Sequence, residues 1–215
     1  MKKIEGFNLF RIIAGIAHGN SDITKSYPLK VLLDILHQTC LSLYYAHTHG
    51  VIHRDIKPEN IMVGLFGEVI VMDWGVAKVW GQAIDEDSEV GGHLYQRLTS
   101  TGQRPGTPLY MSPEQVRNDG PVDERTDIFS MGIVLYEALA QREPFRGRHV
   151  EQTFDNILHE TPKPPSEFGK HFEITPILDQ ICLKALEKKP EDRFDSIFEL
   201  SELLRQQAEK LADPE

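Results

Sequence analysis

"HRDIKPEN", residues 53–60, lies between two short apolar runs, "VI" at 51–52 and "IMV" at 61–63. It holds a carboxylate (Asp55), a cation two positions on (Lys57), a proline that bends the chain (Pro58) and an amide oxygen (Asn60). Alone, such a string is compatible with a polar turn, because Asp, Asn and Pro are turn formers. It is followed in order by three other distinctive stretches. "DWG" at 73–75 comes after the β-rich run Val69–Met72, "GTPLYMSPE" fills 106–114, and Asp127–Ala140 is apolar nearly all round. A helix with no polar face belongs in the middle of a domain.

Outward from this centre, Leu29–Thr48 reads as a helix with Leu32, Leu33, Leu36, Cys40, Leu43 and Ala46 on one face, and Gly50 is suited to cap its C-terminus. Residues 61–63 and 69–72 read as small strands separated by Gly64 and Gly67. From Val76 to Pro108 no period persists, and "DEDSE" at 85–89 marks a long acidic loop of the kind that carries function. "TPKPP" at 161–165 fits a PxxP pattern but is expected to be a loop between helices. "SIFE" at 196–199 predicts a capping box, with Leu200, Leu203, Leu204 and Leu211 on one side of the helix that follows.

The composition describes an ordinary globular chain: 215 residues, 40% hydrophobic, 26% charged, net charge −10. That charge argues against non-specific binding to nucleic acid or anionic membrane. Cys40 and Cys182 sit in apolar helical patterns without metal-like spacing, which predicts buried thiols in a reducing compartment. Glu5 and Arg11 interrupt the N-terminal apolar stretch, so a secretory leader is not expected. No run approaches the roughly 18 apolar residues of a membrane span. The expected location is the cytoplasm.

The joint pattern resembles the protein serine/threonine kinase family, bacterial-type members in particular. "HRDIKPEN" matches the H-R-D-x-x-x-x-N catalytic loop, "DWG" stands where D-F-G is usual, and Ser112-Pro113-Glu114 lies close to A-P-E. The resemblance covers essentially the whole of residues 1–215. It implies an α+β, mainly α-helical fold, the large C-terminal lobe of a kinase domain, with catalytic loop 53–60 and activation segment 73–114.

The resemblance also implies roles. Asp55 would accept the proton of a substrate hydroxyl, and Asn60 and Asp73 would hold Mg²⁺ with hard oxygen ligands. Lys57 would touch the γ-phosphate of ATP, and Thr107 would bond Asp55 and Lys57; both favour Ser or Thr over Tyr as acceptor. Met62 corresponds to the residue beneath adenine, a position equally readable as simple core. The implied partners are ATP with Mg²⁺ and a protein bearing a Ser or Thr acceptor. Glu114 and Arg193 match a buried ion pair of the family. Arg54 beside Asp55 implies pairing with a phosphate on the activation segment, where Thr99, Ser100 and Thr101 are candidates. The cluster His47, His49 and His53 invites a zinc reading, but His53 belongs to the catalytic loop and His47 to a helix end.

The family's small lobe carries a Gly-rich loop and a strand lysine. Residues 1–52 match neither G-x-G-x-x-G nor V-A-I-K, and "MKKIEG" resembles the segment that joins the lobes. On this reading the N-terminal β-lobe is absent and transfer by the chain alone is impaired. Two other classes stay open: a non-catalytic module or truncated product that associates with another kinase lobe, and a nucleotide sensor without transfer.

Overall fold

The structure is a computed structural model that describes residues 5–76, 78–79, 107–118 and 122–211, taken as backbone only at Val76, Lys78, Val79 and Thr107. The acidic run 85–89 and the candidate phosphate acceptors Thr99, Ser100 and Thr101 lie outside the described residues.

Among the described residues the fold is mainly helical. The helices are α1 (Leu9–Ala17), α2 (Ser21–Ser26), α3 (Leu29–Thr48), α4 (Pro113–Arg117), α5 (Arg125–Ala140), α6 (Val150–His159), α7 (Pro176–Ala185) and α8 (Ile197–Lys210). Strands β1 (Gly6–Asn8), β3 (Ile61–Gly64) and β4 (Val69–Val71) form an antiparallel sheet in the order β1-β3-β4, and β2 (Val51–Ile52) pairs with β5 (Lys78–Val79). Gly6 faces Gly64 so closely that a Cβ at Gly6 would fall 2.1 Å from the Val63 carbonyl oxygen. This backbone approach docks the N-terminal segment onto β3.

Helix α5 is the axis of the core. Every residue from Thr126 to Ala140 is buried, as expected of a helix without a polar face. Helix α3 packs its leucine face along α8, and the start of α1 closes the same core through Leu9, Ile12 and Ile16. Gly132 lets α7 approach α5: a Cβ there would meet Ala185 at 2.9 Å. Burial of this apolar set is the main stabilising term of the lobe.

Helix ends follow the local chemistry. Asn8 caps α1 by accepting the Arg11 amide, and Gly50, at φ 72°, bonds the His47 carbonyl past the end of α3. At α8, Ser196 accepts the Glu199 amide, but Glu199 reaches back to the Asp195 amide instead of that of Ser196. The reciprocal box expected there is therefore only half formed. A complete box occurs at Ser112–Gln115, at the start of α4. "TPKPP" forms a connection that ends in a 3₁₀ turn, with Pro165 buried, so it is not an open PxxP ligand. Both cysteines are buried and free. Among the described residues no helix is long and apolar enough to cross a membrane.

Candidate active site

The loop between β2 and β3 is suspended from α5. Asp127, fully buried in the first turn of α5, accepts the His53 amide on Oδ2 (2.9 Å) and the Arg54 amide on Oδ1 (2.8 Å). His47, near the end of α3, meets the same Oδ2 at 2.8 Å. A buried carboxylate is tolerable because these donors replace its hydration. His47 therefore anchors the loop, and the zinc reading of the cluster is not needed: His49 turns instead to the Tyr45 carbonyl.

Arg54 adopts a left-handed backbone (φ 69°), which costs a residue with a Cβ roughly 1–2 kcal/mol. Its Nε is buried with no partner among the described residues. Beyond it, the Asp55 amide donates to Nδ1 of His53 at 3.3 Å, so that nitrogen is unprotonated and Nε2–H donates to the Met72 carbonyl at 2.9 Å. One imidazole thus links the loop to the end of β4.

Three of the expected site residues converge. Lys57 Nζ lies 2.6 Å from Oδ2 of Asp55, and Asn60 Nδ2 donates to the Asp55 carbonyl (2.8 Å) and to the same Oδ2 (3.2 Å). The side chains of Asp55 and Lys57 are only 13% and 16% exposed, which screens the pair less than a surface ion pair. With its NH₂ committed to Asp55, Asn60 turns Oδ1 the other way. The Met72 amide donates to the Asn60 carbonyl at 2.8 Å, and Asp73 follows, exposed and left-handed at φ 61°. Trp74 steadies this turn: its Nε1–H donates to the Val71 carbonyl (3.1 Å) and its ring meets His53 edge-on at 4.5 Å. Asp73 is therefore tied to Asn60 and His53 through its neighbour Met72.

Met62 lies half-buried on β3, in register with Asn8 and Ile70. Thr107 opens the 3₁₀ turn Thr107–Tyr110, and its side chain lies outside the described residues.

Two buried carboxylates frame the site with opposite electrostatics. Burial alone would raise the Glu114 carboxyl, but the Arg193 guanidinium, bidentate at 2.8 Å on each oxygen, outweighs burial and holds it below its ordinary value. The expected ion pair is present, and the Thr126 hydroxyl adds a bond of 2.7 Å. Glu137, in the last turn of α5, has no bonded cation among the described residues. Burial pushes its carboxyl up to about 7, although the Tyr110 hydroxyl donates to it at 2.6 Å.

Sequence reasoning missed the anchoring roles of Asp127 and His47, the Gln115 bond to the Arg54 carbonyl (2.9 Å) and the Tyr110–Glu137 pair. The available signal was Asp127 and Glu137 themselves, two carboxylates in an otherwise apolar helix.

A carboxylate, a cation and an amide on one loop, an exposed aspartate tied to them, and a saturated Glu–Arg bridge are the arrangement expected from the resemblance to a kinase large lobe. Residues 4–207 match the family described as protein kinase domain, and the chain belongs to that family. Among its relatives, the serine/threonine-protein kinase PknD of Chlamydia felis (strain Fe/C-56) is 35% identical over 213 residues, 96% of this chain and 22% of that protein. The PknD of Chlamydia caviae (strain ATCC VR-813 / DSM 19441 / 03DC25 / GPIC) is 34% identical over 207 residues, 93% of this chain and 22% of the relative. That of Chlamydia pneumoniae is 32% identical over 209 residues, 94% and 22% respectively. The chain thus spans about a fifth of the length of these curated relatives.

Proposed function

We propose that this chain transfers the γ-phosphoryl group of ATP to Ser or Thr hydroxyls of a protein. The observation that carries this reading is the convergence of Lys57 and Asn60 on one carboxylate oxygen of Asp55. Phosphoryl transfer requires positioning and charge neutralisation more than covalent chemistry from the protein. In the step, the acceptor oxygen forms a bond to the γ-phosphorus, the bond from that phosphorus to the bridging oxygen breaks, and ADP leaves with the electron pair. Asp55 orients the hydroxyl and takes its proton. Lys57, a point charge on a flexible stem, moves from Asp55 toward the transferring group. The Asn60 amide fixes the carboxylate while its Oδ1 faces away, and Asp73 presents its carboxylate from an exposed turn. These two are hard oxygen donors, as Mg²⁺ prefers; the bound ion would neutralise the phosphate oxygens.

The lysine two residues after Asp55 and Thr107 support Ser or Thr as acceptor, and the relatives named serine/threonine-protein kinases agree. Residues 1–52 contain no Gly-rich loop and no V-A-I-K lysine to clamp the phosphates. Misplacement by about 1 Å costs on the order of 10²-fold, so we expect slow transfer by this chain alone.

The test is incubation of the purified chain with Mg²⁺ and γ-labelled ATP and a generic Ser/Thr substrate protein. Label on Ser or Thr that disappears in Asp55→Asn supports the proposal. Failure to incorporate label at any protein concentration, or label that survives Asp55→Asn, overturns it.

A further inference from the structure

We infer that Gln115 is a positioning residue for the catalytic loop, whose side-chain amide clamps the Arg54 backbone while its other end closes the cap of α4. For its kinetic consequence the inference rests on the proposed transfer reaction; its structural part stands without it.

Gln115 spends its two ends on different tasks. Its Oε1 accepts the Ser112 amide at 2.9 Å, which makes it the third helical residue of a complete capping box. A backbone amide can only donate, so the oxygen must face Ser112 and the NH₂ must face the other way. There Nε2 donates to the Arg54 carbonyl at 2.9 Å, across 61 residues of sequence. The orientation of this amide is thus fixed by chemistry.

Arg54 is the position where the loop most needs holding. It is left-handed at φ 69°, and it immediately precedes Asp55. Asp127 grips it on the amide side at 2.8 Å and Gln115 on the carbonyl side. A residue whose two flanking peptide units are both held keeps a strained conformation that one bond would leave free to relax.

The two tasks separate by a single isosteric change. In Gln115→Glu, the carboxylate still accepts the Ser112 amide, because Glu is a favoured residue at that position of a capping box. It cannot donate to Arg54, and it sets an oxygen against the carbonyl. A residue that only caps α4 would leave the catalytic loop of this variant unaltered.

Amide hydrogen exchange in the full chain reads the outcome with or without phosphate transfer. Loss of the clamp is expected to speed exchange across residues 53–60 by about tenfold, the effect of one lost hydrogen bond to a strained segment. Exchange at 112–118 should stay unchanged, since the cap of α4 is kept. Where transfer is measurable, kcat should fall by a similar factor with KM for ATP unchanged. Gln115→Ala removes both tasks and should speed exchange in both segments, which keeps the question answerable if Gln115→Glu does not fold. Unchanged exchange at 53–60 in the variants overturns the inference, and so does faster exchange accompanied by an unaltered kcat. Absence of transfer by the unsubstituted chain together with faster exchange in Gln115→Glu overturns the proposed reaction and upholds the clamp.

Discussion

The Glu114–Arg193 bridge and the Asp55–Lys57 pair are both carboxylate–cation contacts, and they are built to opposite purposes. In the bridge, the guanidinium side chain is wholly buried, and each of its N–H directions has an acceptor: Glu187, Arg125 and Lys188 carbonyls besides the two Glu114 oxygens. The planar fork has no second geometry available. Lys57 is a single point charge on a rotatable stem, and it meets Asp55 in a partly shielded place behind a strained backbone. The same Coulomb attraction serves as a fixed joint in one place and as a movable contact in the other. Ion type separates the two uses: a planar fork fixes its geometry, and an ammonium on a flexible stem does not.

The largest way to break this contrast is Arg193→Met. It leaves Glu114 buried without its partner, and chemical denaturation should show a loss of about 3–5 kcal/mol. Replacing Glu114 and Arg193 together by Leu and Met should cost clearly less than the single change, because no charge is then stranded.

A smaller effect comes from Glu137, the buried carboxylate with no bonded cation among the described residues. Its folded value of about 7 lies above the ordinary 4.5. The stability it contributes is therefore fully present below about pH 4.5 and is lost as pH rises through 7. Glu137→Gln keeps an acceptor for Tyr110 and removes the titration. Above pH 7 the variant should be more stable by on the order of 2–3 kcal/mol, and its stability between pH 4.5 and 7 should be flatter, as urea titrations at several pH values would show. The smallest expected change in stability is Lys57→Met, about 1–2 kcal/mol by thermal melting, because Asn60 still donates to the shielded Asp55 carboxylate. If Lys57→Met proved as costly as Arg193→Met, the distinction between fixed and movable pairs would collapse.

Much of this was legible in the sequence because it is written locally. The leucine spacing of α3 and Gly50 gave that helix its face and its end, "HRDIKPEN" held the candidate residues Asp55, Lys57 and Asn60 that converge, and Glu114 and Arg193 gave the bridge. The suspension of the loop from Asp127 was not legible. Bonds from one carboxylate to backbone amides more than seventy residues away leave no period and demand no particular side chain at the receiving end. Gln115 is hidden for another reason: the capping box begins at the same serine as the Ser112-Pro113-Glu114 motif, so the two patterns overlap. At α8 the reverse occurred, where the right residue types stood at the right spacing but Glu199 chose the Asp195 amide.

The edge-on contact between Trp74 and His53 gives the molecule a built-in optical gauge. The chain holds two tryptophans, Trp74 and Trp80, so Trp80→Phe leaves a single emitter next to Asp73. An indole held by the Val71 carbonyl against an imidazole emits differently from one released into water. Any swing of the turn at 73–75 should therefore shift the emission maximum, and the movement of an aspartate that has no chromophore of its own can be followed in real time by light.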